Sequence, residues 1–261
     1  PYIVRFSFTI PQTVVPLGQW AGRHFKTVYT LVSDFAPGIE AEQSFIAAYK
    51  AAGGTIAGSV RVPIQTADFS AYLQRVKDAH PAALMAFVPG GTTASSLMKG
   101  FAELGLPAAG VKLIGPGDIV PDEDLPGMGN AAIGVMTVQH YSAAATRPAN
   151  LAFVAAWKKA YGANSTPNFV AAASWDAMDA IFGAVIAEKG HMDPARTMAI
   201  LSHYRNPNSP RGPVFIDPAT RDIVQNEYLR ETEMVHGHLA NVEIKTLAVA
   251  LKDPGKAAPK P

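Results

Sequence analysis

The 261-residue sequence contains no cysteine. This absence excludes disulfide bonds, thiolate metal sites and cysteine nucleophiles, although it does not decide the compartment. An excess of charge of one sign is also absent, since 22 Lys and Arg residues balance 21 Asp and Glu residues and the formal net charge is +1. Binding to nucleic acid needs a concentrated basic face, so we expect no nucleic-acid partner.

The sequence also lacks the motifs of catalytic and metal sites. Its seven His residues show no HExxH spacing, and there is no GxSxG elbow, no GxGxxG loop after a strand and no Walker motif. We therefore expect no metal, no cofactor and no catalysis. We also expect no apolar run long enough to cross a bilayer. The chain begins at Pro1, with neither Met nor a leader segment, so we expect a processed or truncated product.

The sequence does contain a repeated alternation of short apolar runs and helical patterns. The first unit is VYTLVSDFAPG (residues 28–38), followed by a helical pattern over residues 39–52 that ends at Gly53-Gly54. Further strands are predicted at GSVRV, ALMAFV, VKLI and AIGVMTV, with helices between them, one of them opened by Asp68 over residues 69–79. Such an order predicts an α/β fold with a doubly wound parallel sheet.

The two ends of the chain follow other patterns. YIVRFSF near the N-terminus predicts a strand, and Pro11 and Pro16 then break the pattern before a short helix around residues 17–23. From about Arg147 three helices are predicted, over residues 150–161, 168–189 and 194–204. After Asp222 an alternating pattern predicts a β-hairpin that turns near His236-Gly237. The Pro- and Lys-rich tail is expected to fray.

Three predicted strands end in loops of similar chemistry, SDFAPG, VPGGTTA and GPGDIV. Unpaired N–H groups at the start of a helix attract a carboxylate or phosphate. The loop with Gly90, Gly91 and Thr92 is the strongest candidate, because glycine permits close backbone approach and threonine adds a hydroxyl donor. Each loop taken alone could equally be an ordinary turn. Their convergence at one sheet edge favours a ligand site.

Four more residues are candidates with two interpretations each. Asp34 and Asp118 could hold a ligand ammonium group or cap a turn, which is the commoner role of an aspartate in a loop. Phe35 and Trp175 could form the apolar walls of a pocket or belong to the core.

Six segments follow one another along the chain in a distinctive order: RFSFTIPQ, SDFAPG, DFSAYLQRVKDAHPAALMAFVPGG, KLIGPGDIV, GNAAIGVMTVQHY and SPRGPVFIDPATRDIVQNEYLR. This order resembles the substrate-binding proteins of branched-chain amino-acid type ABC transporters, which are type I periplasmic binding proteins of the Leu/Ile/Val-binding family. The resemblance implies a periplasmic protein of two lobes that closes over a small carboxylate-bearing solute and delivers it to a membrane permease, which it contacts transiently.

The resemblance also implies a division of the chain. Residues 1–141 would form the α/β ligand-binding second lobe, residues 142–220 a partial, mainly helical first lobe, and residues 221–261 a hairpin that crosses the hinge, followed by a tail. The N-terminal part of the family, including a signal peptide, would be missing. The helical part would then expose an apolar face, and the chain could pair with another copy.

For the ligand site, the resemblance points to the three loops and to one aromatic residue. Phe35 and Pro37 lie where amino-acid binders often carry a tyrosine, and Gly90, Gly91 and Thr92 lie where some relatives present tyrosines. Asp118 lies near the acid that amino-acid binders place against the ligand ammonium, and Trp175 keeps the aromatic position of the first lobe. The lost tyrosines leave room for an aromatic or other organic acid rather than leucine. Two alternative functions stay open: a ligand-sensing regulator on the same fold, and an enzyme that uses Asp34 or Asp118 as general base.

Overall fold

The structure is a computed structural model and describes residues 2–256. Within these residues nine strands form one sheet. The strands are β1 (Thr27–Ser33), β2 (Thr55–Val62), β3 (Ala83–Phe87), β4 (Lys112–Pro116), β5 (Met136–Gln139), β6 (Arg205–Asn206), β7 (Val214–Ile216), β8 (Ile223–Val235) and β9 (His238–Leu251). The helices are α1 (Ile10–His24), α2 (Ala36–Ala51), α3 (Ser70–Asp78), α4 (Thr92–Glu103), α5 (Leu125–Met128), α6 (Pro148–Tyr161), α7 (Phe169–Ala187) and α8 (Pro194–Ser202).

The first five strands are parallel and lie in the order β2-β1-β3-β4-β5. This arrangement confirms the predicted doubly wound α/β sheet. The order reverses between β1 and β3, because the chain leaves β1 towards β2 and then returns past β1 to form β3. In sheets of this kind a ligand crevice lies outside the carboxyl ends of the strands at that reversal.

Helices cover both faces of the parallel strands. Helices α1 and α2 pack on one face through a core that includes Leu17, Phe45 and Met85. Helices α3 and α4 pack on the other face around Leu73 and Leu97. The two cores hold the strands in place from both sides and so fix the positions of the loops at their carboxyl ends.

The N-terminal segment differs from its prediction. Residues 2–9 form no regular strand and pair with the rest of the chain through one isolated bridge, Arg5 to Asp222. Helix α1 is longer than the short helix predicted around residues 17–23, and it contains both prolines. Pro11 lies in the first helical turn, where its missing N–H has no intrahelical partner to lose. Pro16 sits inside the helix, and its burial against the core offsets the lost hydrogen bond.

The long strand β8 joins two parts of the sheet. Its first residues, Ile223 and Val224, pair with β7, and Tyr228 to Glu231 pair with β5. Strand β9 pairs with β8 along its length, and the hairpin turns at His236-Gly237 as predicted. The predicted lobe boundaries at residues 141 and 220 remain predictions.

Helix α7 departs from the expectation that no apolar run could span a membrane. It has 19 residues, and its most apolar 18-residue window has a mean hydropathy of 1.5. By length and composition it could therefore cross a membrane, but core helices of soluble proteins meet the same criterion. A third of that window is buried. The helix carries Asp176, which is fully buried and forms an ion pair with Arg211 at 2.7 Å.

The helical part exposes the apolar face that we expected. Along α6 and α7 the side chains of Phe182 and Ile186 are 58% and 76% exposed. The other exposed apolar side chains on these two helices are Leu151, Tyr161, Val170, Trp175, Met178, Ile181 and Val185. The tail is partly ordered, because Pro254–Lys256 forms a 3₁₀ turn and Lys256 contacts Asp222 at 2.6 Å. The last five residues of the predicted frayed tail lie outside the described residues.

Candidate functional site

The loops that follow β1, β3 and β4 meet at one edge of the sheet, and we call residues 34–38, 89–92 and 117–118 the strand-end site. The rings of Phe35 and Phe87 stack with their centroids 6.1 Å apart, which links the first two loops. A β-carbon on Gly90 would lie 3.4 Å from the carbonyl oxygen of Asp118, which links the second loop to the third. These contacts place Phe35 beside the end of β3 and Gly90 beside the backbone of Asp118; that the seven predicted loop residues bind one ligand stays a prediction.

The first loop turns sharply into α2. The N–H of Asp34 donates to the Val62 oxygen at 2.7 Å, and the N–H of Phe35 donates to the Ser33 oxygen at 2.9 Å. A β-carbon on Gly38 would overlap that same Ser33 oxygen, so only glycine allows the helix to start so close to the strand. Pro37 lies in the first turn of α2, and the Asp34 side chain is exposed. The N-terminus of α2 is thus held against the end of β1.

The second loop presents the N-terminus of α4. Gly91 has a φ of 77°, and its N–H donates to Oδ2 of Asp124 at 2.7 Å. Sequence reasoning missed Asp124, which already occupies one amide that was predicted to face a ligand. The acidic run PDED offered a signal, because carboxylates often cap a neighbouring helix start. Gly91 and Thr92 also line a cavity of about 550 Å³ between α4 and α5.

The third loop contains a carboxyl oxygen without a partner. Oδ2 of Asp118 is buried and accepts no hydrogen bond from the described residues, while the residue as a whole keeps some exposure. Burial raises the pKa of Asp118 to about 6, although a hydrogen bond from its own backbone and the charge of Arg230 oppose the rise. The group therefore lies at the boundary between the protein core and the crevice.

Arg230 on β8 lies directly beneath this loop and was also missed from the sequence. It is fully buried, and its Nη1 donates to the Tyr141 oxygen at 2.7 Å while Nη2 donates to Oγ1 of Thr137 at 3.1 Å. Its Nη1 also lies 3.8 Å from Oδ2 of Asp122. Burial raises the pKa of Asp122 to about 6, and the nearby guanidinium of Arg230 opposes this rise. The buried guanidinium of Arg230 thus opposes the rise in pKa of both Asp118 and Asp122.

A second buried cation ties α7 to β8. Arg211 donates to Asp176 at 2.7 Å, to Gln225 at 2.7 Å and to the Phe6 oxygen at 2.7 Å. Glu227, also on β8, is fully buried, and its Oε2 has no hydrogen-bond partner among the described residues. Burial raises its pKa well above the usual range. Strand β8 therefore carries a row of buried polar groups between the parallel sheet and the helical part.

Trp175 lies apart from the strand-end site. It is 48% exposed on α7, and its ring packs at 5.2 Å from that of Phe153. Both residues line an apolar groove of about 690 Å³ between α6 and α7, together with Met178 and Phe182. Asn168 at the start of α7 donates a hydrogen bond of 2.5 Å to Glu123, which follows the third loop in the chain. The role of Trp175 in a ligand site stays a prediction.

The part of the chain that the structure describes contains no group of three or more His, Asp or Glu side chains placed to hold a metal ion. The buried Asp176 is instead paired with an amide, a hydroxyl and a guanidinium group. The strand-end site thus offers the N-terminus of α2, an aromatic stack and a carboxyl group, which is chemistry suited to binding a small polar aromatic or amino-acid solute.

Comparison with known proteins gives a consistent result. A family described as periplasmic binding protein matches residues 1–234. The Leu/Ile/Val-binding protein homolog 6 of Brucella abortus (strain 2308) is 39% identical over 260 residues. That match covers 99% of this chain and 66% of the relative. The chain thus spans slightly less than two thirds of the length of the curated relatives that it matches.

Two solved structures from Rhodopseudomonas palustris resemble the chain closely. A solute binding protein of an ABC transporter from strain BisB5, in complex with 3,4-dihydroxybenzoic acid, is 45% identical with a TM-score of 0.92. A solute binding protein of an ABC transporter from strain HaA2, in complex with p-hydroxybenzoic acid, is 38% identical with a TM-score of 0.92. Each match covers 98% of this chain and 70% of the solved chain.

Proposed function

The chain belongs to the periplasmic binding protein family, and we propose that it acts in solute uptake by binding a small aromatic carboxylate for an ABC transporter. The observation that carries the proposal is the meeting of strand-end loops beside the reversal of the sheet, where Phe35 stacks on Phe87 and Gly90 lies close to the backbone of Asp118. Similarity to solute binding proteins in complex with hydroxybenzoic acids supports the same ligand class.

The geometry suits such a ligand. Ala36 and Gly38 in the first turn of α2 carry N–H groups without intrahelical partners, and these groups together with the helix dipole favour the carboxylate of the ligand. The start of α4 is already capped by Asp124. The ring of the ligand would pack against Phe35, whose partner Phe87 is buried and fixed in the core. Micromolar affinity, about 8 kcal/mol, lies within the range that such a combination supplies.

We further propose that residues 1–141 form one lobe, residues 142–220 part of a second lobe, and residues 221–261 a hairpin across the hinge with a tail. The pairing of β8 with β7 at one end and with β5 further along supports this division. Closure of the lobes over the ligand would be a hinge motion about such crossing segments. The proposed partner is a membrane permease, contacted transiently, and the proposed location is extracytoplasmic.

A branched-chain amino acid is the second candidate ligand. Asp118 favours it, because a buried carboxylate could pair with the ammonium group of an amino acid. The curated relatives also carry the name of Leu/Ile/Val-binding proteins. An aromatic acid is preferred here because the first two loops carry Phe35, Pro37 and Gly90, and these residues offer an apolar surface rather than tyrosine hydroxyls.

The test is a binding panel on the purified chain by thermal shift and calorimetry, with benzoate, 4-hydroxybenzoate, leucine, isoleucine and valine. An aromatic acid at about a hundred times its dissociation constant should add roughly 2.7 kcal/mol of stability, and the aliphatic amino acids should add none. Stabilisation by leucine alone, or by no compound in the panel, would overturn the proposal. Consumption of a bound ligand, followed by NMR, would point to an enzyme instead.

A further inference from the structure

A hydrogen bond at the protein surface joins the two proposed lobes. Nδ2 of Asn168, at the start of α7, donates to Oε1 of Glu123 at 2.5 Å. Glu123 belongs to residues 1–141 and Asn168 to residues 142–220, so the bond crosses the proposed boundary. The other polar atom of the amide, Oδ1 of Asn168, accepts from the Ala171 N–H at 2.9 Å and caps α7. Both ends of this amide are therefore engaged, one within the helix and one across the boundary.

The next residue of α7 lies where the chain passes from one proposed lobe to the other. The ring of Phe169 packs edge-on against that of Phe8 with centroids 5.6 Å apart. Its carbonyl oxygen lies 3.3 Å from Nε2 of His140, directly before the boundary at residue 141. A rotation of the lobes about this connection would move Phe169 little. It would change the distance from the Asn168 side chain to Glu123, which lies outside the connection.

Open space lies beside the bond. A cavity of about 690 Å³ separates α6 from the segment that follows β4. Asp122 and Leu125 line one side of it, and Val154 and Lys158 on α6 line the other. A gap of this kind can widen without unpacking a core, as hinge motions require. The bond from Asn168 to Glu123 thus spans a gap whose width follows the angle between the lobes.

Glu123 is also connected to the strand-end site. The next residue, Asp124, accepts the Gly91 N–H at 2.7 Å through its Oδ2. Glu123 and Asp124 line one cavity together with Gly91 and Thr92. The loop that begins α4 is therefore held to the same short segment that Asn168 contacts.

We propose that the hydrogen bond from Asn168 to Glu123 is a latch that holds the lobes together and slows release of the bound solute. The inference rests on the proposed function and adds a control of its release step. Hydrogen bonds weaken steeply when they are stretched or bent, so opening of the lobes must break this one. Its free energy then adds to the barrier for release, and the effect appears in the dissociation rate. Both residues act by positioning the lobes and need not contact the solute.

The test measures the dissociation rates of benzoate and 4-hydroxybenzoate by stopped-flow tryptophan fluorescence for the unsubstituted chain and for Asn168→Asp. An aspartate keeps an oxygen that caps Ala171, but it loses the donor and places a second carboxylate against Glu123. Release should be ~3- to 10-fold faster. Asn164→Asp is the matched control, because it adds the same charge on an exposed side chain nearby and should change the rate by less than about twofold.

Two further variants separate the latch from the cap of α7. Glu123→Ala removes the acceptor, leaves the cap intact and should speed release in the same way. The combined variant Asn168→Asp/Glu123→Gln should restore slow release, because the introduced glutamine can donate to the introduced aspartate and re-form the bond in the opposite direction. Loss of helix capping alone would not be rescued by a change at Glu123.

The outcomes separate the two proposals. If neither acid binds the unsubstituted chain, the proposed function fails, and small-angle X-ray scattering of the free chain then decides the latch alone. Asn168→Asp should have a larger radius of gyration than Asn164→Asp, and equal radii would overturn the latch. If the acids bind but Asn168→Asp releases them no faster, or if the combined variant releases them as fast as Asn168→Asp, only the latch fails.

Discussion

Nη2 of Arg230 occupies the space that a β-carbon on Gly117 would need. The same β-carbon would lie 2.8 Å from the β-carbon of Gln139. The loop that carries Asp118 therefore rests directly on a buried guanidinium group, and glycine at position 117 is what permits the contact. This relationship couples the candidate ligand loop to β8, the strand that pairs with both β5 and β7.

Substitution of Gly117 by alanine should destabilise the protein. The added methyl group must displace either the guanidinium of Arg230 or the side chain of Gln139, and such overpacking costs about 1–3 kcal/mol. Urea denaturation measures the change. Gly127→Ala is the matched control, because a β-carbon there meets no atom within 4 Å, and it should be neutral or stabilising. Equal stabilities for the two variants would contradict the described contact.

Disruption of the ion pair between Arg211 and Asp176 should be costly. Both side chains are fully buried, so Asp176→Ala leaves an uncompensated buried cation and should lose about 3–5 kcal/mol. The combined variant Asp176→Leu/Arg211→Met should recover part of that loss, since no charge is then left unpaired. Lys99→Ala breaks an exposed pair with Glu103 and should cost under about 1 kcal/mol. A double variant no more stable than Asp176→Ala would argue against a charge effect.

The stability of the protein should depend on pH through Asp118. Burial raises the pKa of Asp118 in the folded state from 3.8 to about 6. Between these values the folded state holds a proton that the unfolded state has lost, so this group lowers stability as pH rises through that window. Asp118→Asn cannot ionise and should be about 1–2 kcal/mol more stable than the unsubstituted protein at pH 7.5.

Urea unfolding at several pH values measures this difference. The gap between Asp118→Asn and the unsubstituted protein should close near pH 4, where Asp118 is protonated in the folded state. Asp122 is present in both proteins, so its own titration cancels from the comparison. A gap that is the same at pH 4 and pH 7.5 would show that the carboxyl group is not held protonated by burial.

The purified chain should self-associate through the apolar face of α6 and α7. Phe182 and Ile186 are more than half exposed, and a contiguous apolar surface of this kind marks a site of association. Sedimentation should show a mass that rises with concentration. Phe182→Lys/Ile186→Lys should reduce that rise, whereas Glu103→Lys on the distant helix α4 should not. A chain that stays monomeric at all concentrations would contradict this prediction.

The sequence by itself determined most of the secondary structure and the class of the sheet. Alternating apolar runs and helical patterns are local signals, so the five parallel strands, the three later helices and the turn at His236-Gly237 were predicted near their observed positions. The strand predicted near the N-terminus was wrong, because residues 2–9 find one isolated bridge rather than a neighbouring strand. Pro16 was wrongly taken to break a helix that packing against the core sustains.

Only the tertiary structure decided how the candidate site is built. The sequence predicted that three loops converge, since parallel strands end at the same edge, but not that Asp124 caps Gly91 or that Arg230 lies under Gly117. It also could not place Trp175 in the groove with Phe153 rather than at the strand ends. These contacts join residues from distant parts of the chain. Local propensity carries no signal for them, because they exist only once the sheet and its crossing strand have formed.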